Sequence, residues 1–278
     1  MNVLITGAHG TVGTAITDHL ATTDRYEFTL LDREPGDGPG TCVVANVRNA
    51  AELRPHFQDQ DAVIHLALTP GTGGIHDREL SWNDSLAANI EGIHNVFEAA
   101  RDADLQSVIF ASSNHAVGME EVRNAPDIYW KESGIEIDHT EPHRPDSRYG
   151  LTKTYGEDLG RLAAEAHGLQ FYALRIGAVR EPQYDHPYGD AERGVDDGAW
   201  SRGDAQYDEQ VARMSCLWQS RRDLAHMVDR CLQDEKVEWD QFYGRSRTPY
   251  SWLSIRNARE IIGYDPKDDV ADWDGPPR

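Results

Sequence analysis

A tyrosine and a lysine four residues apart, Tyr149 and Lys153, could together do acid–base chemistry. At this spacing they lie on one face of a helix, about one turn apart. A free phenol has a pKa near ~10, and an adjacent cation favours the phenolate. Such a phenol can take a proton from an alcohol while a hydride leaves the same carbon. The same pair also occurs by chance on amphipathic helices, so its meaning depends on the elements around it.

The N-terminal residues have the pattern of a strand, a glycine-rich turn and a helix. An apolar run at 2–6 ends in the turn, and a helical pattern with Ala15, Ile16 and Leu20 follows it. The glycines allow a tight turn and a close approach of the backbone to a pyrophosphate at the helix N-terminus. We therefore predict a dinucleotide site that includes Gly7, Gly10, Thr11, Val12 and Gly13.

An acidic residue ends the next apolar run, which covers residues 28–31. Asp32 stands near the distance expected for a carboxylate that binds the adenosine ribose. Arg33 comes next and would attract a 2′-phosphate, which Asp32 would repel. The position of the carboxylate favours NAD as the cofactor and leaves NADP open.

Alternating strand and helix patterns predict an α/β fold, a Rossmann-type doubly wound parallel sheet. Further strands are predicted at 41–45, 61–67, 107–111, 170–176 and 239–243. Helices are predicted at 50–57, 85–103, 149–167, 220–232 and 254–262. We expect one domain over residues 1–278, with a small substrate-binding part formed mainly by 178–278.

The ligand edge of this sheet receives polar residues from several loops. Ser113, Asn114 and His115 follow the fifth strand there, where ligands enter open α/β sheets. A glycine-rich loop at 71–74 is expected to be flexible at the same edge. No metal site is predicted, because His115 has no second ligand at a suitable spacing. The histidines of the acidic loop, His139 and His143, are expected to be solvated.

Two segments of the second half lack clear periodicity. Residues 180–212 are rich in Gly, Asp, Pro and Tyr, which fits either a solvated surface insertion or a lid over the substrate. The acidic tail from Pro266 is expected to be frayed.

The amino-acid composition limits the kinds of partner and the cellular compartment that are expected. The net charge is −21, from 48 acidic and 27 basic residues, which opposes nucleic acid and anionic membranes. Such an excess fits a salt-adapted cytoplasm, where high ionic strength screens self-repulsion. Three widely spaced cysteines indicate a reducing compartment. A strand beginning at Asn2 leaves no room for a signal peptide, and no apolar run reaches membrane-spanning length, so a cytoplasmic location is expected.

Several motifs in the same order resemble the extended short-chain dehydrogenase/reductases. They are 6–13, 65–67, Asn89 with Gly92, Ser113, and Tyr149 with Lys153. Residues 110–118 and 175–177 narrow the resemblance to uronate dehydrogenases and NAD-dependent archaeal glucose-6-phosphate dehydrogenases. Those enzymes oxidise a sugar at its anomeric carbon to a lactone. Related haloarchaeal enzymes act on unphosphorylated aldoses, so the resemblance leaves the sugar open.

The resemblance implies roles for individual residues. Tyr149 would be the base, Lys153 would lower its pKa and bind the nicotinamide ribose, and Ser113 would orient the reacting hydroxyl. Further cofactor contacts are implied for Asp32, Arg33, Asn46, Val47, Leu66, Ala67, Asn89 and Ile176. Substrate contacts are implied for Thr69, Asn114, His115 and Arg213. The helices that carry Asn89 and Tyr149 form a dimer interface in this superfamily, which implies a homodimer.

The chain departs from the family pattern at the substrate side. Ala178 stands where the family often has Ser or Asn, and the insertion before Arg213 has no counterpart that aligns. Arg213 is therefore either the ligand of a substrate carboxylate or part of a surface salt bridge. Two other functions stay open: a sugar-nucleotide epimerase or dehydratase that recycles its NAD, and a non-catalytic NAD-sensing module.

Overall fold

The structure, a computed structural model, describes residues 1–69 and 86–277. Seven strands in this part of the chain form one sheet with the order β3-β2-β1-β4-β5-β6-β7. Every neighbouring pair is parallel. The strands are β1 (Asn2–Thr6), β2 (Glu27–Asp32), β3 (Thr41–Val44), β4 (Ala62–His65), β5 (Ser107–Ser113), β6 (Gln170–Ile176) and β7 (Trp239–Tyr243). The predicted doubly wound parallel sheet is confirmed.

Helices cover both faces of this sheet. They are α1 (Thr11–Leu20), α2 (Ala50–Leu53), α3 (Ala87–Asp102), α4 (Met119–Asn124), α5 (Arg148–His167), α6 (Gly189–Asp196), α7 (Ala205–Leu217), α8 (Arg221–Leu232) and α9 (Arg256–Ile261). One apolar layer packs Ile16 of α1 with Val228 of α8, and the other packs Phe97 of α3 with Phe110 of β5. No helix in the described ranges is both long enough and apolar enough to cross a membrane.

The strand order creates a crevice where the chain changes direction. From β1 the chain moves to β2 on one side, and β4 returns to the other side of β1. Ligands of open α/β sheets bind at the carboxyl ends of strands beside such a reversal. The register of β5 and β6 places Ser113 opposite Ile176, so both strands end level at the same edge.

Two predictions about elements are wrong in part, and a third is not tested. The helix predicted at 50–57 is α2 followed by a 3₁₀ turn at Arg54–Phe57, because Pro55 has no N–H for the helical hydrogen bond. The glycine-rich loop at 71–74 lies outside the described residues. The insertion at 180–212 is not irregular throughout, because it contains α6 and the start of α7. Tertiary contacts hold α6 despite its glycines: Trp200 donates to the carbonyl of Ala191 at 2.9 Å.

The C-terminal tail is packed rather than frayed. The ring of Trp273 lies 5.3 Å from that of His186 and 6.3 Å from that of Trp218. Asp268 accepts hydrogen bonds from Ser220 and Arg222. The acidic residues of the tail thus have specific partners, which their composition alone did not indicate.

Candidate active site

A cleft of about 470 Å³ opens at the carboxyl edge beside β1. No side chain caps the N-terminus of α1, which begins beside this cleft after Gly10. Its first backbone N–H groups are therefore suited to a pyrophosphate. The predicted cofactor residues that line the cleft are Gly7, Gly10, Asp32, Arg33, Asn46, Val47, Leu66, Ala67 and Asn89. Thr11, Val12 and Gly13 form the first turn of α1. The residues present fit a dinucleotide.

Asp32 lies at the end of β2, with its carboxylate held by the backbone. Its Oδ1 accepts from the N–H of Arg33 at 2.8 Å and its Oδ2 from the N–H of His9 at 3.2 Å. The guanidinium of Arg33 lies 3.8 Å from the carboxylate of Glu34, and both side chains are well exposed. A fixed carboxylate in this position suits the hydroxyls of a ribose.

Thr69, a predicted substrate contact, lies in the dinucleotide cleft instead. Its N–H donates to Oδ1 of Asn89 at 2.7 Å, and its carbonyl accepts from Nδ2 of Asn89 at 3.3 Å. Asn89 on α3 therefore fixes the chain after β4, which forms the wall of the cleft. The structure does not bring Thr69 to the second pocket described below.

Two close approaches place the helix that carries Tyr149 and Lys153. The hydroxyl of Ser147 accepts from the N–H of Gly150 at 3.0 Å and caps α5. A Cβ on Gly150 would lie 2.5 Å from the carbonyl oxygen of His115, so the helix start rests directly on the turn after β5. One face of α5 thereby points its tyrosine at the end of β5.

A second pocket of about 160 Å³ gathers most of the predicted substrate residues. It is lined by Ser113, Asn114, His115, Tyr149, Gly177, Ala178, Arg180, Arg213 and Leu217. Ala178 lies in this lining, where the family often has a hydrogen-bonding residue. The Nδ2 group of Asn114 is buried and has no hydrogen-bond partner among the described residues. Because an orphaned buried donor costs free energy, this amide is available to a ligand hydroxyl.

The pKa of Tyr149 differs from the expectation. Burial raises it above its usual value, while the hydrogen bond from Ser113 and the charge of Arg180 lower it. The ammonium of Lys153 lies over the tyrosine ring, 5.1 Å from its centroid. In this arrangement burial outweighs the groups that favour the phenolate, so the net shift of the pKa of Tyr149 is upward.

Lys153 is itself buried, between two aromatic rings. Its Nζ lies 5.2 Å from the ring centroid of Phe110 as well as close to Tyr149. Burial lowers the pKa of Lys153 to about 8, and the carboxylate of Glu157, one helical turn away, opposes that shift. A lysine with a pKa this close to neutrality can lose and regain its proton near neutral pH.

Glu157 is a residue that sequence reasoning missed. It accepts from Nη2 of Arg175 at 2.8 Å, and both side chains are fully buried. Burial raises the pKa of Glu157, but hydrogen bonds from His143 and Arg175 outweigh it and lower the pKa to about 2. The expectation that His143 is solvated is wrong, because its Nε2 lies 2.7 Å from this carboxylate. The spacing of 149, 153 and 157 on one helix face was the available signal.

His115 is paired with a carboxylate that sequence reasoning also missed. Its Nδ1 lies 2.6 Å from Oδ2 of Asp146. Burial raises the pKa of Asp146, and the hydrogen bond from His115 more than compensates and lowers it. An ionised Asp146 accepts a hydrogen bond from Nδ1–H, and in this tautomer the lone pair of Nε2 can accept a hydrogen bond.

The two arginines of the pocket are both paired with carboxylates. Nε of Arg213 donates to Oε1 of Glu121 at 2.6 Å. Arg180, which sequence reasoning missed, donates through Nη2 to Oδ2 of Asp190 at 2.7 Å. The salt bridge predicted as one alternative for Arg213 is thus present, but it is largely buried and lies in the pocket wall. Ile176 ends β6 just before the lining residues Gly177 and Ala178.

The chain is similar to several known sugar dehydrogenases. A Haloferax volcanii protein named NAD-dependent glucose-6-phosphate dehydrogenase is 34% identical, over 98% of this chain and 95% of its own. A second Haloferax volcanii protein, L-arabinose 1-dehydrogenase (NAD(P)(+)), is 30% identical over 97% of both chains. The crystal structure of glucuronic acid dehydrogenase from Chromohalobacter salexigens matches with a TM-score of 0.73 and 29% identity, over 98% of this chain and 86% of that chain. Residues 3–230 match the NAD dependent epimerase/dehydratase family, and the chain belongs to that family.

Proposed function

We propose that the chain is an oxidoreductase that oxidises a sugar at C1 to the lactone with transfer of a hydride to NAD(P)⁺. The sugar is an aldose, a uronate or a sugar phosphate, as the relatives' names suggest. The observation that carries the proposal is the pocket in which Ser113, Asn114, His115 and Tyr149 meet. This group combines a phenol, a hydroxyl and two sugar-binding side chains at the sheet edge that also holds the dinucleotide cleft.

The reaction follows from the positions of these side chains. Tyr149, as the phenolate, removes the proton of the C1 hydroxyl, and Ser113 orients that hydroxyl. The bound dinucleotide would supply the ring that accepts the hydride. Lys153 holds a positive charge beside the phenol and is placed to contact the nicotinamide ribose. Because burial raises the pKa of Tyr149 above its usual value, turnover should keep rising with pH through the neutral and into the alkaline range, as the fraction of phenolate increases. A flat pH profile of kcat/KM would contradict this role.

The remaining pocket residues are assigned to the sugar hydroxyls. The unpartnered amide of Asn114 donates one hydrogen bond. Nε2 of His115 accepts another, because Asp146 holds the proton on Nδ1. These assignments, like those of Ser113, Tyr149 and Lys153, rest on geometry and on the family resemblance.

A substrate panel tests the proposal. NADH formation is followed with aldoses, uronates and sugar phosphates at high salt, with NAD and NADP in parallel. At least one sugar should give steady NADH, and Tyr149→Phe should lower kcat by at least about 1,000-fold. The affinity for NAD should stay the same in that variant. Turnover comparable to wild type in Tyr149→Phe would rule out this base.

A sugar-nucleotide epimerase is the alternative from the same family. It would bind a nucleotide sugar and recycle its cofactor without net NADH formation. The described pocket, at about 160 Å³, is smaller than the ~300–1,000 Å³ usual for drug-sized ligands, which supports a monosaccharide. Accumulation of NADH with a free sugar separates the two functions. The absence of NADH with every sugar would favour an epimerase or an NAD-sensing module.

NAD is the proposed cofactor in preference to NADP. The carboxylate of Asp32 would repel a 2′-phosphate at the ribose, and Arg33 is directed towards Glu34. The same panel compares kcat/KM for both cofactors. A preference for NADP would show that Arg33 outweighs Asp32.

Two proposals concern the setting of the enzyme. The net charge of −21 supports a salt-rich cytoplasm, where screening reduces self-repulsion. Exposed Leu151 and Leu162 on α5 support a homodimer through this helix. Sedimentation at several salt concentrations measures whether the protein is a dimer and whether it stays folded only at high salt.

We also propose a single domain in which residues 178–278 supply most of the substrate-binding part.

A further inference from the structure

The insertion contributes a carboxylate that lies between the two arginines of the sugar pocket. Asp190 on α6 accepts two hydrogen bonds from Arg180, at 2.5 Å from Nε and 2.7 Å from Nη2. Its Oδ2 also lies 3.8 Å from Nη1 of Arg213. The side chain of Asp190 is mostly buried, with 14% of its surface exposed.

The charges at this wall of the pocket balance. Arg213 is paired with Glu121, which also accepts a hydrogen bond from the hydroxyl of Tyr129 at 2.8 Å. Arg180 is paired with Asp190, so two guanidiniums meet two carboxylates. Asp190 is the one that contacts both arginines. The arginines line the pocket and Asp190 is not part of its lining, so it neutralises their charge from within the wall.

Asp190 is ionised under ordinary conditions. Burial raises its pKa, but the hydrogen bonds and charge of Arg180 outweigh burial, and the pKa is lowered. An anionic sugar group at this wall would therefore meet a like charge that cannot be discharged near neutral pH.

We infer that Asp190 is a specificity-determining residue that neutralises the arginine pair, so that this wall of the pocket favours an uncharged sugar over an anionic one. The inference rests on the proposed function and deepens it. It also assigns Arg213 the second of its two predicted roles, the salt bridge, because its charge is used by the protein rather than by a substrate carboxylate. The residue that sets this preference, Asp190, belongs to the insertion. The inference leaves the proposed role of Tyr149 as the base unchanged.

The test compares Asp190→Asn with the wild-type enzyme. The ratio of kcat/KM for glucuronate to that for glucose should rise by at least about tenfold, since one like charge has been removed. Glucose 6-phosphate serves as a second anionic probe. Asp197→Asn is the matched control, because Asp197 is exposed and caps the C-terminus of the same helix. Asp190→Glu keeps the charge and should leave the ratio unchanged.

A ratio that stays within twofold of wild type in Asp190→Asn, or that falls, would overturn the inference. So would an equal rise in Asp197→Asn, which would indicate a general charge effect. Calorimetric binding of glucuronate and of glucose in the presence of NADH gives the same ratio without turnover. The inference is therefore decided even if no sugar is oxidised, which is the separate failure of the proposed function.

A second measurement does not depend on the folding of a variant. In the wild-type enzyme, the binding ratio of glucuronate to glucose should change little as salt is raised, because a neutral wall has no net attraction to be screened. A steep fall of that ratio with salt would reveal a net positive pocket and contradict the inference.

Discussion

The helix that carries Tyr149 and the insertion that carries Asp190 meet at one pocket, but different interactions hold them in place. Beneath α5 the pair of Glu157 and Arg175 is fully buried. Arg175 also donates at 2.8 Å to both Tyr243 and Gln241. The insertion is held by ion pairs nearer to solvent, such as Arg193 with Glu181, whose side chains are 34% and 44% exposed.

The difference separates catalysis from selectivity. A buried pair with saturated hydrogen bonds keeps one geometry over a wide range of salt, because its surroundings screen it weakly. Exposed pairs contribute little and weaken as salt rises. Tyr149 should therefore keep its position over a wide range of salt, while the exposed ion pairs of the insertion can change in sequence at little cost in stability.

The largest effect is expected from breaking the buried pair. Arg175→Met leaves the carboxylate of Glu157 buried without its main partner, and the free energy of unfolding should fall by about 3–5 kcal/mol. Urea denaturation measures this change. Arg54→Met is the control, because Arg54 pairs with Asp102 at the surface. Its loss should hardly change the free energy of unfolding. A loss in Arg175→Met no larger than in the control would remove the distinction between the two regions.

Overpacking beneath Lys153 should have the next largest effect. A Cβ on Gly156 would lie 2.3 Å from Cζ of Phe110, the ring beneath Lys153. Gly156→Ala should therefore destabilise the protein by about 1–3 kcal/mol and lower kcat. Thermal denaturation and turnover measure the two effects. Gly275→Ala, where a Cβ would meet nothing, is the control. Unchanged kcat in Gly156→Ala would mean that α5 can shift without disturbing the base.

Removal of the buried ammonium should stabilise the protein while it abolishes activity. The pKa of Lys153 is lowered from 10.5 to about 8, so below pH 8 the folded state carries the full cost of a buried charge. Between these values the unfolded chain binds more protons, and the contribution of this group to stability rises with pH. Lys153→Met should gain about 2 kcal/mol at pH 7, and the gain should fade towards pH 10. Chemical denaturation at several pH values measures it, and a loss of stability at pH 7 would contradict it.

The smallest effect is expected in the insertion. Glu181→Gln keeps a side chain that can accept from the hydroxyl of Thr11, now at 3.0 Å, but removes the ion pair with Arg193. The free energy of unfolding should change by less than about 0.5 kcal/mol, and the change should vanish in ~1 M salt. A large change in the free energy of unfolding that persists in salt would show that the pair of Arg193 and Glu181 behaves like the buried pair of Glu157 and Arg175.

The sequence predicted those parts of the molecule whose signals are local. The strand, glycine turn and helix around Gly10 were predictable, because backbone conformation and a phosphate site depend on neighbouring residues. The predicted bounds of β6 and β7 agree with the structure. β6 has the apolar run of a buried parallel strand, whereas β7 has polar residues at its centre and is partly exposed. Tyr149 and Lys153 were found through their spacing on one helix face.

The features that were missed depend on residues far apart in the chain. Arg213 meets Glu121 across 92 residues, and no local pattern joins them. Helix α6 has weak intrinsic propensity, and its contacts with Arg180 and Trp200 override that weakness. The pKa of Tyr149 was misjudged because burial, which spacing does not reveal, exceeds the effect of nearby charges.

The packing of Trp273 against Trp218 has a practical consequence for work with this enzyme. Trp218 follows Leu217, which lines the second pocket, so the tail packs against the segment that forms one wall of that pocket. A truncation that removes Trp273 should therefore change the KM for the sugar.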